Sequence, residues 1–105
     1  MKVKTAKNKI SPDGDLIFEN AEKGKRLLLT ALDKIDSGKA VTIDLSKVYE
    51  IDSSGFQLLL AFIHTLENRD IEYKVKKIRS EVFELVKMAG LNKYFRIQTG
   101  DVMTW

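Results

Sequence analysis

"YEIDSSGFQLLLAF", residues 49–62, sets an acidic, hydroxyl-rich turn against one of the most apolar runs in the chain. On a helix turning about 100° per residue, Phe56, Leu59, Leu60, Ile63 and Leu66 gather around one direction. Leu58 and Phe62 widen that apolar arc to roughly 200°, and Gln57, Ala61, His64, Thr65 and Asn68 fill the strip that remains. A surface helix needs a stripe only a little over about 100° wide. Two readings follow: the helix is sunk between neighbours, or Leu58 and Phe62 stand at its rim and meet a partner together with Phe56, Gln57 and Ala61. The helix is predicted from about Ser53 to Asn68.

The entrance to that helix carries unpaired N–H groups and the positive end of the macrodipole. Asp52 or Ser53 can cap it. Gly55 carries no side chain, which leaves the backbone beside Ser54 open to a visitor. A phosphate on Ser54 would lie where helix starts attract anions, and would bring up to about two negative charges. Asp44 and Asp52 would repel it, so the fold could tolerate a modification that rejects a partner. Capping alone also accounts for "DSSG".

Working outward, "AVTIDL" (40–45) reads as a β-branched strand with Val41, Ile43 and Leu45 on one face. "IEYKVKKI" (71–78) alternates apolar and charged residues, as a half-exposed strand does. Upstream, residues 2–10 form a first strand, "SPDG" (11–14) a turn, and "DLIFE" (15–19) the second arm of a hairpin. Asn20 caps a helix over 21–36 on Leu28, Ala31, Leu32 and Ile35, and Gly38 stops it. Downstream, Ser80 caps a third helix bearing Val82, Leu85, Val86 and Ala89, which Gly90 and Leu91 end as a Schellman motif. "YFRIQ" (94–98) is a last short strand. Strands alternating with helices imply an α/β fold with a mixed sheet and parallel crossovers.

At 105 residues and 44% apolar composition the chain suits one domain, residues 1–105, with a core of modest stability. It lacks cysteine and holds one histidine, His64, which excludes disulfides, thiolate chemistry and cysteine or histidine-rich metal sites. No cofactor is expected. The net charge of +3 is spread along the chain and gives no case for nucleic acid; Lys2, Lys4, Lys7 and Lys9 read as a solvated strand face. No stretch is apolar enough for a membrane span and residues at the start lack a signal-peptide apolar region, so a reducing cytoplasm is the expected location. A Ser54–His64–Asp triad fails on distance, because ten helical residues separate the first two by roughly 15 Å. A non-enzyme is expected.

The order strand, "DLSKVYEIDSSGFQLLL", helix, strand, helix closely resembles the STAS domain. The resemblance covers roughly residues 15–96, is most specific at "DLS…IDSSG" (44–55), and extends to "VFELVKMAGLNKYF" (82–95). It implies a mixed sheet of four to five strands with three or more helices packed mainly on one face. The family includes bacterial anti-sigma factor antagonists, lipid-transport subunits, chemotaxis-associated modules and the cytoplasmic tails of sulfate transporters. In the antagonists the second hydroxyl of "DSSG" is phosphorylated, here Ser54, and the acid matched by Asp52 belongs to the same site. The resemblance thus implies a non-catalytic switch: the bare domain binds a serine-kinase anti-sigma factor, phosphorylation of Ser54 weakens that complex, and a phosphatase restores it. The chain departs from the antagonist pattern at Phe56 and Gln57, where "GFQLLL" is closer to the chemotaxis-associated and lipid-transport branches. The alternative is a scaffold subunit of a chemotaxis signalling or lipid-transport ABC complex that never switches.

Overall fold

In the computed structural model, which describes residues 1–35, 39–97 and 99–103, the chain opens with a hairpin of β1 (Lys2–Ala6) and β2 (Lys9–Asp13). The turn between them is Lys7–Asn8, with Lys7 at φ 52°. "SPDG" is therefore not the turn: Ser11, Pro12 and Asp13 belong to β2. Pro12 is tolerated there because β2 pairs with β3 only at Lys9 and Ile10, so its missing N–H falls beyond that ladder. "DLIFE" is not a strand either. Leu16 forms an isolated bridge with Ile51, and Phe18–Asn20 make a 3-10 turn.

The helix α1 (Ala21–Leu32) follows. Asn20 precedes it without capping it; its side chain donates to the Asp15 carbonyl at 2.7 Å instead. The helix ends four residues short of the expected limit. Lys34 N–H and Ile35 N–H bond the carbonyls of Ala31 and Leu32, three residues back, which tightens the last turn out of α geometry. The expected stop at Gly38 lies outside the described residues.

Next come β3 (Val41–Asp44), α2 (Ser53–Asn68) and β4 (Tyr73–Lys76). The helix α2 closes as a Schellman motif, with Ile71 N–H on Leu66 O and Asp70 N–H on Glu67 O. Asp70, not a glycine, takes the left-handed position at φ 55°. The sheet runs β1-β2-β3-β4, antiparallel in the first pair and parallel in the next two. This is a mixed α/β architecture.

A short β5 (Ile78–Arg79) pairs in parallel with β6 (Val102–Met103) in a separate two-stranded sheet. Between them lie α3 (Ser80–Met88) and α4 (Asn92–Phe95). Ser80 is the first residue of α3, and the residue before it, Arg79, makes no side-chain cap. Gly90, at φ 72°, and Leu91 close α3 as the sequence predicts, with Leu91 N–H on Val86 O and Gly90 N–H on Lys87 O. Residues 94–97 form no strand: Tyr94 and Phe95 end α4, Arg96 turns left-handed, and Gln98 lies outside the described residues.

The core lies on one face of the sheet. Ile10, Val41, Ile43, Tyr73 and Val75 point into it, and α2 brings Leu59, Ile63 and Leu66 against them. Phe95 of α4 closes its side. Between these residues the strands turn Lys9, Thr42 and Lys74 to the opposite face.

Candidate functional site

Leu45, just past β3, is buried, and the chain then crosses to the start of α2 through Val48 and Ile51, both buried. Asp52 is the N-cap. One carboxylate oxygen accepts from Gly55 N–H at 3.0 Å and the other from Phe18 N–H at 3.0 Å. The first bond caps the helix; the second ties the 3-10 turn to it. The Gly55 N–H bond is the main reason the Asp52 carboxyl is held below the usual carboxylate range. Partial burial opposes that shift, and the Phe18 N–H adds to it.

The same two segments are laced along their backbones. Leu16 N–H donates to Glu50 O at 2.9 Å, and Asp52 N–H donates to Leu16 O at 3.2 Å. This explains Gly55. A Cβ built there would overlap the Leu16 carbonyl oxygen and press on Ile51. The glycine is needed for close approach of the chain's own backbone, and the expectation that it leaves space for a visitor is corrected: the residue is buried.

Ser53 and Ser54 are the first two residues of α2, the former exposed and the latter half-buried. Asp52 does the capping, and among the described residues the Ser54 hydroxyl has no hydrogen-bond partner. It stands in the first turn, where N–H groups lack intrahelical acceptors and the dipole favours negative charge.

Asp44, expected beside Ser54, is engaged elsewhere. It is 7% exposed, pairs with Lys9 Nζ at 3.8 Å, and accepts from Ser46 N–H at 2.9 Å. The site therefore gathers Asp52, Ser53, Ser54 and Gly55, and the structure gives Asp44 no contact with them.

The expected partner surface divides. Leu58 and Phe62 are 8% and 3% exposed, so the rim placement is corrected. Both side chains pack toward α1, where Leu28 lies beside them, and Gly24 of α1 meets the end of Leu58. Gln57 and Ala61 are exposed and Phe56 half-buried; of these, Ala61 lines a shallow groove with Leu29 of α1. His64 is exposed on α2 with no bond to Ser54.

Sequence reasoning missed Leu16 and Phe18. It placed both in a strand; Leu16 is buried and Phe18 is 74% exposed. The "SPDG" motif misled that reading, because it centres the turn on Pro12 and Asp13, five positions beyond Lys7–Asn8.

Among the described residues no helix is long and apolar enough to cross a membrane. The STAS domain model matches residues 2–100, so it takes in β1 and β2 as well as the "DSSG" turn. No curated protein sequence matches the chain. Three solved structures are similar in fold. The murine anion transporter Slc26a9 superposes with a TM-score of 0.73 at 18% identity, over 94% of this chain and 16% of the transporter, so the chain spans about a sixth of that protein. A candidate anti-sigma factor antagonist from Thermotoga maritima gives 0.70 at 16% identity, over 98% and 85% of the two chains. The phosphorylated Bacillus cell-fate determinant SpoIIAA gives 0.62 at 16%, over 97% and 87%.

Proposed function

The chain belongs to the STAS domain family, and from that premise we propose that it is a protein-binding module of the antagonist type, switched off by phosphorylation of Ser54. The observation that carries the reading is the division of labour at the start of α2. Asp52 satisfies the cap, and Ser54 is partly exposed, its hydroxyl without a bond among the described residues. A phosphate added there keeps the cap and gains the helix dipole, so the fold survives it. The docking surface, by contrast, acquires up to about two negative charges beside the Asp52 carboxylate. A partner seated on Ser53, Ser54, Gln57, Ala61 and the exposed edge of Phe56 would be repelled. The partner is a serine kinase of the anti-sigma factor type, and a phosphatase reverses the mark. The protein acts as substrate and switch in the cytoplasm, with no catalysis of its own.

The test is phosphorylation by a serine kinase of the anti-sigma factor type, read by mass spectrometry. One phosphate on the peptide containing Ser54, absent from Ser54→Ala, is expected. Equal labelling of the Ala variant would overturn the assignment.

The scaffold reading keeps one supporting observation, the continuous groove of Leu29, Ala61 and Thr65 between α1 and α2. It predicts a partner held equally well with and without the phosphate.

A further inference from the structure

We propose that the open face of the sheet, around the β1–β2 turn and the end of β4, is a docking surface for an anionic lipid bilayer. The helices leave this face uncovered. Two adjoining hollows there share Ala6, Lys9 and Asp44. Together they are lined by six lysines, Lys4, Lys7, Lys9, Lys47, Lys76 and Lys77, and by two acids, Asp13 and Asp44. That is an excess of four positive charges in a chain whose whole excess is three. The rest of the molecule therefore carries a formal charge of −1, so the positive excess of the chain is accounted for by these hollows. Lys9 is the only one of the six paired with an acid among the described residues.

Of the four left-handed non-glycine residues described, two line the first of these hollows, while Asp70 and Arg96 follow helix ends elsewhere. Lys7 and Lys77 both hold left-handed backbone, φ 52° and 57°. Glycine would adopt that conformation without strain, yet both turns present lysine to the same hollow. Residues held in such conformations concentrate where function requires them.

The chemistry selects the occupant. A protein interface has aromatic or apolar anchors at its centre. The large exposed apolar side chains Phe18, Leu29, Tyr49, Leu85, Met88 and Tyr94 all lie outside these hollows. Single-stranded nucleic acid is gripped by aromatic stacking, and no ring lines the face. Recognition of one fixed phosphate favours the arginine fork, and every cation here is lysine. Unfixed charges on flexible stems suit an array of mobile anionic headgroups, and clusters of four to eight basic residues are drawn to such a leaflet. No residue from 52 to 55 lines the hollows, so this surface is independent of the Ser54 switch.

The test is co-sedimentation with vesicles of phosphatidylcholine mixed with phosphatidylglycerol, against phosphatidylcholine alone, over a salt series. The protein is expected on the anionic vesicles only, with partitioning that falls as salt rises. The double variant K7G/K77G removes two charges and relieves two strained residues, so it keeps its fold and its thermal midpoint. Each lost charge weakens partitioning about fivefold, so this variant falls roughly twenty-five-fold. Ser54→Ala partitions as wild type. Equal partitioning onto neutral vesicles would overturn the proposal, as would undiminished binding by K7G/K77G. So would tighter binding of duplex DNA or RNA than of anionic vesicles at the same salt, which would make the face a nucleic-acid surface.

Discussion

Ser54 and Gly55 are adjacent, and their tolerances are opposite. Gly55 meets the Leu16 carbonyl so closely that any side chain must displace backbone. Gly55→Ala is expected to cost about 2 kcal/mol or more by overpacking, measured as a fall in the urea midpoint. Ser54→Asp places an acid in the first turn of α2, where the dipole favours it, so stability stays within about 1 kcal/mol of wild type. Any loss of binding by that variant then comes from the surface and not from unfolding. Asp52 links the two effects. Its carboxylate is stabilised by the Gly55 and Phe18 N–H groups, so its pKa lies lower in the folded chain than in the unfolded one. The sign follows: the bonds contribute fully above the unfolded pKa and are lost as pH falls through the folded value. Thermal midpoints measured down a pH series should fall in the acid range for wild type. Asp52→Asn should be less stable near neutrality, with a shallower acid decline. This much of the site is legible in the sequence because a capping acid, two hydroxyls, a glycine and an apolar run coincide within a few residues. The lacing of Leu16 to Ile51 is not legible, since backbone pairing across more than thirty positions leaves no local mark.

Among the elements, α2 tests the burial of its broad apolar face. Phe62 is sunk against α1, so Phe62→Ala is expected to lose about 3–5 kcal/mol in a urea titration. Ala61→Gln, on the exposed strip one residue away, should change stability by less than about 0.5 kcal/mol. Similar losses for both would mean that Phe62 is a surface residue after all. The apolar arc is readable from periodicity, but periodicity alone does not say whether another helix covers its edge. Here α1 covers it, and Gly24 permits the approach: a Cβ at that position would come within 2.9 Å of Leu58 Cδ2. The hairpin is misread for a related reason. "SPDG" carries the strongest turn chemistry in the region, while the true turn, Lys7–Asn8, uses a lysine in left-handed backbone that no propensity rule selects. The bounds of α2, by contrast, fall where the sequence places them, Ser53 to Asn68, although the left-handed residue that follows is Asp70; the glycine at position 90 announces the end of α3.

At the scale of the whole molecule the sheet separates two surfaces. One face and its helices build the core and present the start of α2; the other carries the lysines around Asp44. A module organised in this way can sit at a charged surface while its switch remains free to engage a protein. The fold itself follows from the alternation of β-branched strands and amphipathic helices, which the strand order β1-β2-β3-β4 realises. The regulated encounter is the claim on which the functional account rests. Its most direct measurement is recovery of the kinase-type partner from native extract by immobilised wild-type, Ser54→Ala and Ser54→Asp protein, followed by titration of that partner. The account predicts that wild type and Ser54→Ala retain the same protein while Ser54→Asp binds it about tenfold more weakly or worse, a difference of about 1.4 kcal/mol. Equal affinity across all three would contradict it.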